Sequence, residues 1–352
     1  MLKIGIIGLG LMGGSIAKCL SKNNSIEKIV AYDKNLEDLE IAKKENIITD
    51  FTTTIDSNFS DLDYIFICVP VRHTIDITKE LIPYLSSNCI VTDIGSTKRN
   101  IVTELEKLNI NYVGTHPMVG KEKSGLAYAD SHLYDNAYFL ITKTDKTKNE
   151  NIDKIQEIIL LLNAKPYIIP LEKHDKIVAA ISHVPHIIAS TLVNMASSLE
   201  DKDSNLRSLA AGGFKDITRI ASSGAQMWQN ICLENSEEIL ATLKTFKYSL
   251  EEIEQNIISK NPEKIYSFLD SAKTFRDSVD TMKKDNEIIM KIQNTPGELQ
   301  KVISILANNN LNIRNLSIQD DIDEKYGTLK LYFDNIDKKD LAYLVLKKEN
   351  MI

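Results

Sequence analysis

Short runs of Ile, Val and other apolar residues punctuate the first half of the chain: Lys3–Ile7, Lys28–Tyr32, Tyr64–Val69, Cys89–Asp93, Tyr112–Gly114, Ala137–Thr142 and Tyr167–Ile169. They lack strict apolar–polar alternation, as strands do when both faces are covered, so the pattern predicts a buried parallel sheet. Stretches with helical spacing separate most of them, which predicts a doubly wound α/β domain of the Rossmann type over residues 1–171. Beyond it the strand signal fades. Ile177, Ala180, Ile181, Val184, Ile187, Ile188, Thr191, Leu192 and Met195 form a broad apolar stripe at helical spacing. A second long helix is expected over Ala225–Ser259, and a third after Asn261 as N-cap with Pro262 at the first helical position. An all-helical domain over 172–285 follows, apolar enough to bury part of its surface against a second copy, so a homodimer is expected.

The pattern changes again over 286–352. Ile288, Met290 and Ile292 alternate as a strand, and Thr295-Pro296-Gly297 opens a helix with Leu299, Val302, Ile303 and Leu306 on one face. Leu311–Ile318 and Thr328–Phe333 read as a hairpin around a polar, acidic loop, and Leu341, Leu344 and Val345 mark a last helix. The order βαββα describes a small α+β unit.

A chain of 352 residues is too long for one typical core, in keeping with this division. The net charge of −7 argues against nucleic acid or an anionic membrane surface as the main partner, and leaves room for an anionic small molecule in a local basic pocket. Cys19, Cys68, Cys89 and Cys232 show no metal-ligand spacing, which predicts reduced cysteines in a cytoplasmic protein and no metal. Glycines interrupt the apolar start, no cleavage site follows it, and no run of about 18 apolar residues occurs, so neither a signal peptide nor a membrane span is expected.

The chemistry concentrates where strands end. Gly8-Leu9-Gly10-Leu11-Met12-Gly13 is a G-x-G-x-x-G between a strand and a helix, the context in which it binds a dinucleotide. Gly8 would make the tight turn, Gly10 admit the pyrophosphate, and Gly13 allow helix and strand to touch, with Leu9 and Met12 between them. Asp33, about 20 residues on, suits the adenosine ribose hydroxyls and repels a 2′-phosphate, so NAD is expected over NADP, with Lys34 leaving residual NADP use open. Val69 and Pro70, at the end of the third strand, complete the expected cofactor contacts. Past the next strands come Gly95-Ser96-Thr97-Lys98 and Thr115-His116-Pro117-Met118-Val119-Gly120, placing Ser96 and His116 at the nicotinamide end.

Three further groups stand out. Ser182 and His186 are four apart on an apolar helix interrupted by Pro185, and either hydrogen-bond between helices or line a cleft. Asp216 and Arg219 form either a surface ion pair or an arginine held for a substrate carboxylate. Trp228 reads as a packing anchor.

Together, Gly8–Gly13, Gly95–Lys98, His116-Pro117-Met118-Val119-Gly120-Lys121-Glu122-Lys123-Ser124-Gly125, Ser182–His186, Gly212–Arg219 and Met227-Trp228 resemble, in order, the prephenate/arogenate dehydrogenase family over roughly residues 1–285. The C-terminal unit resembles an ACT domain lacking most of its last strand. The resemblance implies NAD-dependent oxidative decarboxylation of prephenate to 4-hydroxyphenylpyruvate. It implies that His116 takes a hydrogen bond or proton from the ring hydroxyl, Ser96 orients His116 and that hydroxyl, Arg219 anchors a carboxylate, foremost the one on the ring, His186 either holds the pyruvyl side chain or shapes the pocket, and Asp216 positions Arg219 and gates access. Ser182 would line the same pocket. Lys121 stands where family members commonly carry Ser or Thr, and Lys215 where Arg is common; Lys121 would favour prephenate over arogenate by meeting the side-chain carboxylate. The ACT-like unit implies an amino-acid effector, tyrosine foremost. Competing readings are an arogenate (cyclohexadienyl) dehydrogenase, a β-hydroxyacid dehydrogenase, which would use a helical-domain lysine, and a non-catalytic sensor of NAD and an amino acid.

Overall fold

The structure is a computed structural model, and it describes residues 1–200, 206–281, 286–320, 325–333 and 336–352. The chain forms two compact units, Met1–Lys247 and Tyr248–Ile352. The boundary expected at residue 171 falls inside the first unit, because the helix that starts at Leu171 packs against the sheet and against the helix Arg99–Leu105. The boundary expected at 285 lies outside the described residues.

The first unit is built on eight strands: β1 (Leu2–Ile7), β2 (Ile26–Tyr32), β3 (Asp50–Thr52), β4 (Tyr64–Ile67), β5 (Ile90–Asp93), β6 (Asn111–Pro117), β7 (Tyr138–Lys143) and β8 (Lys165–Pro170). They lie in the order β3-β2-β1-β4-β5-β6-β7-β8. Successive side chains leave a strand on opposite faces. Ile4, Ile6 and Phe66 enter one core layer with Ile16, Leu20, Ile155 and Ile159, while Ile7, Ile65, Ile67 and Val91 enter another with Leu81, Ile101 and Leu105. Both faces are thus covered, which is why the strands read as unbroken apolar runs.

The sheet departs from the expected one twice. β3 pairs with β2, yet it has a single apolar residue, Phe51, and so carries no run to detect. β7 runs antiparallel to β6 instead of continuing the parallel array. A parallel neighbour needs a crossover that packs on the sheet, usually a helix. Between β6 and β7 the chain makes only the short 3₁₀ turn Leu126–Tyr128, so it comes back in the opposite direction.

The turn after β5 is tied down from beneath. Lys98 is wholly buried, and its Nζ donates to Asp93 Oδ2 at 2.7 Å, Gly95 O at 2.6 Å and Thr97 O at 3.1 Å. Those three bonds use every proton of the ammonium. Asp93 also accepts from the Tyr112 hydroxyl at 2.6 Å and the Gly95 N–H at 2.8 Å. Burial pulls the Lys98 ammonium below its ordinary value, and Asp93 opposes the shift.

After β8 the chain turns helical through Leu171–Val178, a π-helical turn Ala179–His183, and Val184–Glu200. Pro185 has no N–H for the carbonyl one helical turn back, and the wider turn falls directly before it. By length and composition the helix Leu171–Leu199 would also cross a membrane. In this fold its polar residues His174, Asp175 and His183 are buried within the protein and hydrogen-bonded. The second expected helix is two, Ala225–Glu234 and Ser236–Ile258, broken at the buried Asn235. Ile181, Leu209, Ile217, Leu233 and Leu240 stay more than half exposed in the isolated chain.

In the second unit, Asn261 caps the helix Pro262–Thr281, as expected, by accepting the Lys264 N–H at 3.1 Å. Three strands follow, β9 (Glu287–Gln293), β10 (Asn315–Asp320) and β11 (Tyr326–Tyr332), in the antiparallel order β10-β11-β9. The helices Glu298–Asn308 and Ile336–Lys348 complete the βαββα order, with Ile288, Met290, Val302, Leu306, Leu329, Leu331, Ala342 and Leu346 as its core. The acidic loop residues 321–324 lie outside the described residues.

Removing one partner of a buried ion pair leaves the other charge unpaired. Lys98→Met should therefore destabilise the first unit by about 3–5 kcal/mol, read as a lower denaturation midpoint by near-UV circular dichroism; an unchanged midpoint would refute the role assigned to this pair.

Candidate active site

The glycine loop joins β1 to the helix Leu11–Leu20. Gly8 has φ +96°, and a Cβ on it would stand 2.8 Å from the Cys68 carbonyl oxygen. A Cβ on Gly13 would stand 2.0 Å from Gly8 O, whereas one on Gly10 would meet nothing within 4 Å. The loop is therefore closed toward the sheet and open at Gly10, at the N-terminus of the helix, where free N–H groups favour an anion. Asp33 Oδ2 accepts the Leu9 N–H at 2.7 Å and Oδ1 accepts the Asn35 N–H at 2.9 Å, so its carboxylate is anchored at the loop. Val69 lies beside Gly8, and Pro70 is exposed just after it. The Leu9 and Met12 side chains pack in the core, which leaves only their backbones to the loop.

His116 sits on β6, buried, with its Nδ1 3.0 Å from Nε2 of His174. His174 Nδ1 in turn lies 2.7 Å from Oδ1 of Asp175. Asp175 also accepts the Lys98 N–H at 2.8 Å and the Arg99 N–H at 3.0 Å. Burial, then the neighbouring His174, Lys98 and His183, hold the His116 imidazole well below its ordinary value. A histidine so depressed is neutral at pH 7 and free to take a proton.

A second cluster adjoins the first. Asn235 Nδ2 donates to the Asp175 carbonyl at 2.9 Å and contacts His183 Nδ1 at 3.0 Å. His186 stacks on Trp228 with ring centroids 3.5 Å apart, and His183 meets the same indole edge-on at 6.0 Å. Burial pushes the His183 imidazole down to about 4 and lowers that of His186. His183 Nε2, His186 Nδ1 and Trp228 Nε1 are buried without a hydrogen-bond partner among the described residues. Unmade hydrogen bonds of this kind are rare in folded proteins, and water or a ligand ordinarily supplies the partner.

The remaining expected residues fall into place unevenly. Arg219 lies on the 3₁₀ turn Arg219–Ser222, packed against the helix that carries His186, and pairs with Glu122 from the loop after β6. Its partner is thus Glu122 and not Asp216, which is exposed on the helix Gly212–Thr218. The group that holds His116 is His174 and not Ser96; Ser96 is half-buried and makes no hydrogen bond to His116. Lys121 Nζ pairs with Asp130 Oδ2 at 3.0 Å, both partly exposed. Ser182 is half-buried while its neighbour His183 is buried, because the π turn advances the helix by one residue and brings His183 inward instead.

His174, Asp175 and Asn235 drew no notice in the sequence, and Glu122 and His183, though inside resembling segments, were given no role. A signal existed for the first two: His174-Asp175 follows the eighth strand, where the rule that picked His116 also applies. Asn235 gives no local sign of its contacts.

Known proteins resemble this chain along nearly its whole length. Residues 16–168 match the family described as "Prephenate dehydrogenase, nucleotide-binding domain" and residues 170–271 the one described as "Prephenate dehydrogenase, dimerization domain". The chain is 30% identical over 346 residues to the prephenate dehydrogenase of Bacillus subtilis (strain 168), covering 96% of this chain and 93% of the relative. It is 32% identical over 359 residues to that of Lactococcus lactis subsp. cremoris, covering 99% and 98%. The crystal structure of prephenate dehydrogenase from A. aeolicus in complex with hydroxyphenyl propionate and NAD⁺ resembles this fold with a TM-score of 0.75 at 34% identity, over 79% of this chain and 98% of that one. With both family domains matched in succession and relatives of this identity along nearly its whole length, the chain belongs to the prephenate dehydrogenase family.

Proposed function

We propose that this chain catalyses the NAD-dependent oxidative decarboxylation of prephenate to 4-hydroxyphenylpyruvate, with His116 as the proton acceptor. The observation that carries the reading is a buried, neutral imidazole at the carboxyl end of β6, in the sheet whose first strand leads into the glycine loop. Ligands in open α/β sheets bind beyond the strand ends. The loop suits the cofactor: its opening at Gly10 admits a pyrophosphate, and Asp33 stands where ribose hydroxyls would donate. When bound, NAD accepts the hydride from the ring carbon that bears the hydroxyl.

The protein's part is to manage protons and carboxylates. His116 takes the hydroxyl proton as the carbon–oxygen bond gains double-bond character. Arg219, whose planar guanidinium suits a carboxylate, exchanges Glu122 for one on the substrate, and Asp216 stands nearby in sequence to steady the helix before it. The unpaired nitrogens of His186 and Trp228 would meet the pyruvyl group, with Ser182 at the rim. Ser96 would approach the hydroxyl from the β5 turn, and Lys121 would meet the side-chain carboxylate on leaving Asp130. We assign a homodimer on the exposed apolar residues of the helical segment, in a family domain described by dimerization. The βαββα unit is assigned an amino-acid effector, tyrosine foremost.

Absorbance at 340 nm on mixing prephenate and NAD with the protein should rise; binding of NAD without turnover would overturn the activity. His116→Asn should lower kcat by about 10²–10⁴-fold with little change in substrate affinity. Arg219→Ala should act mainly on KM, by about 1.5–3 kcal/mol of lost charged hydrogen bonding; a reversed pattern in the two variants would undo these assignments. Because His116 must be neutral and is held below its ordinary value, kcat/KM should stay level as pH falls through about 6.5 and decline only in more acidic solution. An acid limb above that value would contradict a depressed imidazole.

A further inference from the structure

The hydrogen bonds behind His116 determine which of its nitrogens faces the substrate, an inference that rests on the reading of His116 as proton acceptor. Burial pushes the Asp175 carboxyl up, but the bond from His174 and the N–H groups of Arg99 and Lys98 outweigh it and hold the group below its ordinary value. Asp175 is thus a carboxylate, which can only accept, so His174 Nδ1 is the donor of the 2.7 Å bond. Burial lowers the His174 imidazole, which carries one proton at neutral pH; its Nε2 therefore holds a lone pair. The 3.0 Å contact then takes its proton from His116 Nδ1, and the lone pair of His116 is left at Nε2.

We propose that His174 and Asp175 are positioning residues that lock His116 in the Nδ1–H tautomer, present its Nε2 to the substrate hydroxyl, and balance the positive charge that His116 gains. In the reaction, the hydroxyl proton moves to His116 Nε2 as the hydride leaves the same carbon for NAD, and the oxygen keeps the O–H pair as a second bond to carbon. The ring carboxylate then departs as CO₂. Its bonding pair restores aromaticity and returns a pair to the oxygen, which recovers the proton from Nε2. No proton is gained or lost overall, so the imidazolium exists only between two transfers. That brief charge is the one the Asp175 carboxylate meets, through one intervening ring.

The surroundings show why such support is needed. Lys98 and Asp93 face the rings from the β5 turn, Asp175 from the helix after β8, and His183 from the π turn. Lys98 and His183 work against a charged His116, and Asp93 is already bonded to Lys98 and Tyr112. Asp175 is the carboxylate hydrogen-bonded to the imidazole pair among the described residues.

The test uses the full chain labelled with ¹⁵N-histidine. Two-bond ¹⁵N–¹H spectra at neutral pH report each ring's tautomer, with His116 assigned by its loss in His116→Asn. Both His116 and His174 should show Nδ1–H; a His116 protonated on Nε2 would overturn the proposal. Asp175→Asn should lower kcat by about 10–100-fold and move the acid limb of kcat/KM to lower pH, since the imidazolium loses its counter-charge. His174→Phe should mix the tautomers of His116 and lower kcat similarly. NAD affinity, followed by fluorescence, should be unchanged in both, which separates this effect from misfolding. A purely structural role would reduce the rate without moving the acid limb, and that result would sink the idea. Expected tautomers in a wild-type chain that makes no NADH from prephenate would instead support the tautomer lock and overturn the reaction.

Discussion

The carboxylate of Asp175 is the point on which the first unit's site depends. It is nearly out of contact with water, yet ionised, and the bonds to this residue draw three separate parts of the chain together. The N–H groups of Lys98 and Arg99 reach it from the β5 turn, the His174 ring from its own helix, and Asn235 grips its backbone carbonyl from the break between two later helices. A buried charge is tolerated only when its partners are in place. The β5 turn, the helix after β8 and the break at Asn235 are therefore tied together beside His116.

The fold was legible in the sequence because its signals are local. An apolar run of strand length, a glycine loop, and an asparagine before Pro262 each act through neighbours a few positions away. The helix Leu11–Leu20 and the cap at Asn261 came out where the residues said. What failed had non-local causes. β7 reverses because the connection before it lacks a packing helix, and β3 is held by its neighbour β2 despite a nearly polar sequence.

The site was legible in parts for the same reason. Asp33 and His116 follow from position relative to strand ends, a rule that needs only the strand assignment. Partners do not. Ser96 adjoins the expected strand end, but the ring that meets His116 comes from beyond β8. A straight helix would turn Ser182 inward; the π turn before Pro185 turns His183 inward instead. Arg219 found Glu122, far along the chain, and not the aspartate three positions before it. Spacing along one helix says nothing about a loop from another layer.

The buried histidines carry a consequence for the stability of the protein itself. His116, His174, His183 and His186 are all held below their ordinary values by burial, so each resists protonation while folded and accepts it readily once exposed. Their contribution is intact above the unfolded value near 6.5. It drains away as acidity rises, for His183 down to about 4, because the unfolded chain binds protons that the native one refuses. Mild acid thus acts on the first unit through its imidazoles, which begin to weigh against the native state as pH falls below about 6.5.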